Sequence, residues 1–293
     1  MDKKILVTGA CGNVGKYVVQ ELLNKDCKVV VAEYNIGMAR KMYEDKVEYV
    51  NLDFMDSSTY ENAFKDIYKV FLMRPPQIDK VKEYIDPAID VAIKCGVKHF
   101  TFLSILGSNP IVPHYKIEKH LLKNKGKISY TFIRASFFMQ NLITSMKDEI
   151  ISQDEIYVPA GAGKTSFIDC RDIAKVAAIT LTEEGHENKI YELTGSEALS
   201  YYEVADIMTK VLGRKITYTN PKAKDFENLM ISKGHPKDYA FVTKMIYATT
   251  KIGIAKKVTT TFYKITNSYP IKLEKFVNDF KEVWDIKKEE INK

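Results

Sequence analysis

Gly9, Gly12 and Gly15 recur at three-residue spacing directly after the apolar run Ile5-Leu6-Val7, and they open a helical pattern reaching Asn24. Each suits a different task in a phosphate-binding turn. Gly9 permits the tight turn, Gly12 lets the backbone approach a pyrophosphate, and Gly15 lets the helix pack closely on the strand. Ala10, Cys11, Asn13 and Val14 complete the loop, and the N-terminus of the following helix favours negative charge. An acid, Glu33, follows a second apolar run, Val29–Ala32, about where a ribose-binding carboxylate belongs. The chemistry this arrangement points to is dinucleotide binding.

Such a loop needs strands and helices to hold it. Apolar runs Ile5–Val7, Val29–Ala32, Val47–Leu52, Val70–Met73, Phe100–Leu103 and Tyr130–Ile133 predict buried strands of a parallel sheet. Helical patterns near 13–24, 37–45, 57–65, 79–95 and 114–124 alternate with them. The alternation predicts an α/β fold, a Rossmann-type doubly wound parallel sheet over residues 1–152, with its crevice at the carboxyl ends of the strands. Met73, Arg74 and Pro75, at the end of the fourth strand, then line the cofactor channel. Beyond about residue 150 the rhythm changes. Short strands at Ile156–Val158, Lys189–Leu193 and Lys215–Thr219 mix with helices near 170–183, 200–212, 222–232, 236–255 and 272–284. Residues 153–293 are expected to form a smaller α/β carboxyl-terminal substrate lobe, with some segments returning to the first domain. Ser200-Tyr201-Tyr202-Glu203 reads as a capping box.

Composition narrows the setting. The 293 residues suffice for a sizeable core. The amino terminus does not resemble a signal peptide, and no apolar run is long enough for a bilayer span. Cys11, Cys27, Cys95 and Cys170 show neither disulfide nor metal spacing, which suits a reducing, cytoplasmic setting. Cys11 reads as a small residue that fits a tight loop, with a redox switch as the alternative. Net charge is +6, and residues 210–293 carry 18 lysines and arginines against 9 acids. Those cations are scattered singly, which predicts a solvated helical surface and no nucleic-acid partner.

Several segments together resemble the NmrA-like branch of atypical short-chain dehydrogenases/reductases. They are Thr8 to Gly15, Val70 to Pro76, Lys98 to Ser104, Tyr130 to Arg134, Phe137 to Leu142, Phe167 to Ala174 and Tyr191 to Gly195, in the family's order and across most of the chain. The resemblance implies an NAD(P)H-dependent reductase of quinones or dyes. It also admits a regulator that binds the cofactor, senses its redox state and docks a protein partner through the basic carboxyl-terminal region. Asp53 matches a position that lies against the adenine, with Phe54 beside it, although Asp53 also reads as a cap before Asp56. Ser104 and Phe137 are further cofactor contacts on this reading. Phe138, Met139 and Asn141 are expected at the substrate, with Phe137, Phe138 and Met139 forming an apolar wall. Family members that use NADPH often carry arginine where Glu33 stands. A carboxylate repels a 2′-phosphate, so NAD(H) is favoured over NADP(H), with Arg40 and Lys41 near enough to reach a phosphate.

Catalysis turns on one helix. Tyr115 and Lys119 have the Tyr-x-x-x-Lys spacing by which a lysine lowers a tyrosine pKa, and Ser104 stands upstream. In relatives, the helix's acidic residue falls four positions after the lysine. Aligning Glu118 with that acid puts His114 at the lysine position and turns Tyr115 aside by about 100°. His114 is therefore the expected catalytic group, with a near-neutral pKa suited to stabilising charge on an acceptor or bonding the nicotinamide ribose. Without the tyrosine, a conjugated acceptor such as a quinone is expected, since it takes hydride directly. A carbonyl reductase using Tyr115 and Lys119 is the other enzymatic reading. Gly161 to Thr165 lacks the first glycine of a phosphate loop and reads as a turn. The five histidines have no metal-ligand spacing, so no metal is expected. Monomer and homodimer both remain open.

Overall fold

The computed structural model describes residues 3–285. The chain forms two compact units. The first runs to Ala135 and resumes over Cys170–Leu193, and the second comprises Ser136–Asp169 and the chain from Thr194 onward.

In the first unit, strands β1 (Lys4–Thr8), β2 (Val29–Glu33), β3 (Glu48–Asn51), β4 (Ile67–Leu72), β5 (His99–Ile105) and β6 (Ser129–Ala135) lie in one parallel sheet in the order 3-2-1-4-5-6. A seventh strand, Lys189–Leu193, joins parallel to β6. Order reverses between β2-β1 and β1-β4, and the chain crosses there from one face of the sheet to the other. In open α/β sheets that switch point is where ligands bind, outside the strand carboxyl ends. Helices α1 (Gly15–Leu23), α2 (Ile36–Tyr43), α3 (Tyr60–Phe64), α4 (Val81–Lys94) and α5 (Pro113–Lys123) make the crossovers. The Cys170–Thr182 helix packs against α1. The strands read as continuous apolar runs because both faces are covered: Leu6, Val70, Phe71, Phe100, Phe102 and Phe132 are all fully buried.

The second unit has its own core, built on Met139, Ile150, Tyr201, Phe226, Phe276 and Trp284. It carries two small sheets, one pairing Glu155–Tyr157 with Thr217–Thr219 and one pairing Lys164–Thr165 with Leu199–Ser200. The capping box is made: Ser200 N–H donates to Glu203 at 2.7 Å and Glu203 N–H donates to Ser200 Oγ at 3.3 Å. Residues 136–152 lie here and not in the first unit, where the sequence boundary at 152 would put them. The reason is backbone pairing and burial. Ile168 N–H donates to Phe137 O at 2.8 Å, Met139 N–H donates to Ile168 O at 2.9 Å, and Leu142 O accepts from the Trp284 indole at 3.1 Å.

Candidate dinucleotide site

The glycine loop leaves β1 at Gly9, whose φ of +60° is the left-handed conformation that glycine adopts without strain. Gly12 N–H closes the turn onto Gly9 O at 3.0 Å. Helix α1 then starts so close to the loop that a Cβ on Gly15 would lie 2.0 Å from Gly9 O. Among the described residues, the N–H groups of Asn13 and Val14 have no hydrogen-bond partner. The residues fit a pyrophosphate: unpaired donors directly follow Gly12, whose Cβ would fill the cradle, 3.1 Å from Gly9 O and 3.3 Å from Met73 Cε.

Two neighbours fix the loop from outside. Cys11 N–H donates to the Glu33 carboxylate at the end of β2, 2.8 Å away. Tyr43, on the inner face of α2 with Ala39, donates its hydroxyl to Ala10 O at 2.5 Å. Sequence reasoning did not find Tyr43, whose burial one turn after Ala39 was its only signal. Burial, then the Glu33 charge and a hydrogen bond to it, push the Cys11 thiol up to about 11. At neutral pH it is a thiol and a poor nucleophile, as expected of a residue chosen for size.

Asp53 accepts from Met55 N–H at 2.8 Å, an Asx turn, while Asp56 and not Asp53 caps the helical turn that follows, through Ser58 N–H. Phe54 differs from its expected role beside the cofactor: its side chain lies in the first unit's core, and Tyr60 donates to its carbonyl at 2.7 Å. Arg40 lies over the Tyr49 ring, 5.3 Å from its centroid, and Lys41 is exposed. At the end of β4, Met73 N–H donates to Thr8 Oγ1 at 2.8 Å, tying β4 to β1, and its methyl covers Gly9 and Gly12. Pro75 supplies a carbonyl to the Arg74 guanidinium at 3.1 Å.

Helix α5 presents Ile117, Glu118 and Leu121 to the interior. Glu118 accepts from Ser104 Oγ at 2.6 Å and from Arg134 Nε and Nη2 at 3.0 and 2.6 Å. Ser104 is buried and engaged with Glu118. His114 stands one turn before Glu118 on the same face, and its ring centroid is 6.1 Å from that of Phe102. Tyr115 is half-buried and Lys119 exposed, the ammonium 5.9 Å from the ring centroid, and Tyr115 stands about 100° around the helix from His114. His114 is not near neutral in pKa: burial, and then the charge of Arg74, push it down to about 3. It is a neutral hydrogen-bonding ring at physiological pH and not an acid.

His99, at the other end of β5, is pushed down to about 4 by burial first, with the Lys69 charge adding. The unfolded chain takes up these two protons near pH 6.5, the folded chain only near 4 and 3, so stability is intact above pH 6.5 and falls as pH drops. The slope is at most about 1.4 kcal/mol per pH unit for each histidine. Urea denaturation at pH 7.5 and pH 5 should show this loss, and His99→Gln should flatten it. An equal drop in both chains would remove His99 as a cause.

The expected substrate residues lie in the second unit. The Phe137 ring packs 6.3 Å from that of Tyr247, and Phe138 is half-buried at the start of a helical turn. Met139 is buried in that unit's core and does not form an exposed wall. The Asn141 carbonyl accepts from Met146 N–H at 3.0 Å. Among the described residues, no group of three or more His, Cys, Asp or Glu could hold a metal, and no helix is long and apolar enough to cross a membrane.

The chain is 32% identical to the NAD(P)H azoreductase of Xenophilus azovorans over 268 residues, covering 89% of this chain and 92% of that one. Its fold matches NADPH-dependent quinone oxidoreductase QOR2 from Escherichia coli, complexed with NADPH, at a TM-score of 0.83 and 25% identity, covering 94% and 99% of the two chains. It matches the Citrobacter sp. triphenylmethane reductase complexed with NADP(H) at 0.82 and 25% identity over the same shares. The model of the NmrA-like family matches residues 1–283, and with these likenesses it establishes that the chain belongs to the NmrA-like family.

Proposed function

We propose that the chain is an NAD(P)H-dependent oxidoreductase that delivers hydride to a quinone or similarly conjugated small molecule, taking NAD(H) in preference to NADP(H). The observation that carries this reading is the glycine loop, with unpaired N–H groups at Asn13 and Val14 and the Glu33 carboxylate fixed against Cys11. A bound reduced nicotinamide supplies the hydride, which is the cofactor's own chemistry. The protein's part is to bind and orient it. Asn13 and Val14 hold the pyrophosphate, Glu33 accepts from ribose hydroxyls, and Met73 lies over the loop. Asp53 faces the adenine. With Tyr115 turned aside and His114 uncharged, the protein offers no strong proton donor, which suits an acceptor that takes hydride directly and draws its proton from water. The names of the azoreductase, quinone and dye reductase relatives agree with a flat conjugated acceptor.

Loss of reduced-nicotinamide absorbance against a small quinone, with NADH and NADPH in parallel, tests the reading. NADH should be favoured by about fivefold or more in kcat/KM, because a carboxylate meeting a 2′-phosphate costs at least about 1 kcal/mol. Glu33→Gln should narrow the ratio by improving NADPH. No turnover with either cofactor would remove the catalytic reading, and faster turnover with NADPH would remove the role given to Glu33.

A further inference from the structure

Four buried polar atoms in the first unit have no hydrogen-bond partner among the described residues, on Arg74, Asp86, Ser108 and His114. Two of them, Arg74 Nε and His114 Nδ1, belong to one neighbourhood. Leu72 at the end of β4 is paired with Phe102 of β5, Arg74 follows two residues later, and the His114 ring sits beside Phe102. The Arg74 charge also acts on His114.

Arg74 is not a solvated surface cation. Its side chain is 11% exposed, and Nη1 donates to the carbonyls of Pro75, Pro76 and Ile78 at 3.1, 3.2 and 2.8 Å, with Asp79 at 3.4 Å. These bonds hold the guanidinium still and leave Nε–H as a fixed donor without an acceptor. Unmet buried donors are rare enough to require an explanation. His114 is uncharged there, so with its proton on Nε2 the ring offers a lone pair at Nδ1. A fixed donor just past the carboxyl end of β4 and an acceptor at the start of α5 therefore lie in one neighbourhood, close enough for the Arg74 charge to act on the His114 ring.

A primary carboxamide is the group with the complementary pair, a carbonyl to accept and an N–H to donate. We propose that Arg74 Nε and His114 Nδ1 form a carboxamide-binding pair that takes the amide of the nicotinamide ring, an inference resting on the dinucleotide reading above. A carboxylate in its place would set an acceptor against the His114 lone pair, and an acetyl group would lack the N–H.

Calorimetric titration of the full chain with ADP-ribose, NAD⁺ and the 3-acetylpyridine analogue of NAD⁺ tests the pair without turnover. The wild type should bind NAD⁺ about tenfold more tightly than the analogue, the scale of one net hydrogen bond. His114→Phe, which can pack on Phe102, should abolish that preference while ADP-ribose affinity stays unchanged. Arg74→Lys should weaken NAD⁺ and the analogue together by about tenfold and leave ADP-ribose unchanged. An undiminished preference in His114→Phe, or none in the wild type, would overturn the pair. Failure of folded wild type to bind ADP-ribose would overturn the dinucleotide reading, and the pair with it, and is told apart because it does not involve the nicotinamide.

Discussion

Gly15→Ala is expected to weaken both the fold and the cofactor site, whereas Gly12→Ala should weaken the site alone. A Cβ on Gly15 would lie 2.0 Å from Gly9 O, 2.7 Å from Gly9 C and 2.8 Å from Ala10 Cα. All three are backbone atoms, so no side-chain rotation relieves the contact, and α1 must retreat from the loop. Overpacking of this kind costs about 1–3 kcal/mol, and the backbone contacts place Gly15→Ala at the upper end. On Gly12, the Cβ would meet Gly9 O at 3.1 Å and the Met73 methyl at 3.3 Å, and a methionine side chain can swing away. Stability should then stay within about 1 kcal/mol of wild type. The added methyl nevertheless stands where the backbone must approach the pyrophosphate, so NADH affinity should fall by about tenfold or more. Denaturation and cofactor titration on both variants check the contrast. Wild-type NADH affinity in Gly12→Ala would mean that this loop does not cradle the pyrophosphate.

The glycine turn was legible in the sequence because its glycines answer local demands: a positive φ at Gly9 and a close approach at Gly15. The parallel strands were legible because burial on both faces leaves unbroken apolar runs. The face of α5 followed from the family resemblance, which aligns Glu118 with the relatives' acidic residue and so sets His114 one turn before it. Contacts between distant segments were not legible. Nothing in composition says that Arg74 turns inward to cap Pro75, Pro76 and Ile78, or that Tyr43 reaches Ala10. The same limit explains His114, whose position the resemblance implied but whose low pKa comes from burial and Arg74. Helices Lys147–Gln153 and Thr261–Thr266 were missed because each is under two full turns and has no side-chain cap at its start. The boundary at Ala135 has no glycine- or proline-rich linker to mark it. It is set by the pairing of Phe137 and Met139 with Ile168.

Arg134→Met should destabilise the chain by about 3–5 kcal/mol, while the double variant Glu118→Gln/Arg134→Met should recover much of that loss. Glu118 is 2% exposed and takes three hydrogen bonds, two from the forked Arg134 guanidinium and one from Ser104. Removing Arg134 alone strands a buried carboxylate with a single neutral donor. Removing both charges leaves a neutral amide whose carbonyl still accepts from Ser104, and a methionine whose bulk replaces the arginine stem. The pair does more than hold α5 down. It fixes which face of the helix turns inward, and so keeps His114 on the inner face and Tyr115 aside. Denaturation of the two single variants and the double gives the coupling directly, expected at about 2–3 kcal/mol. Additive losses would mean that Ile117 and Leu121 alone set the rotation of α5, and that the buried ion pair has no part in presenting His114.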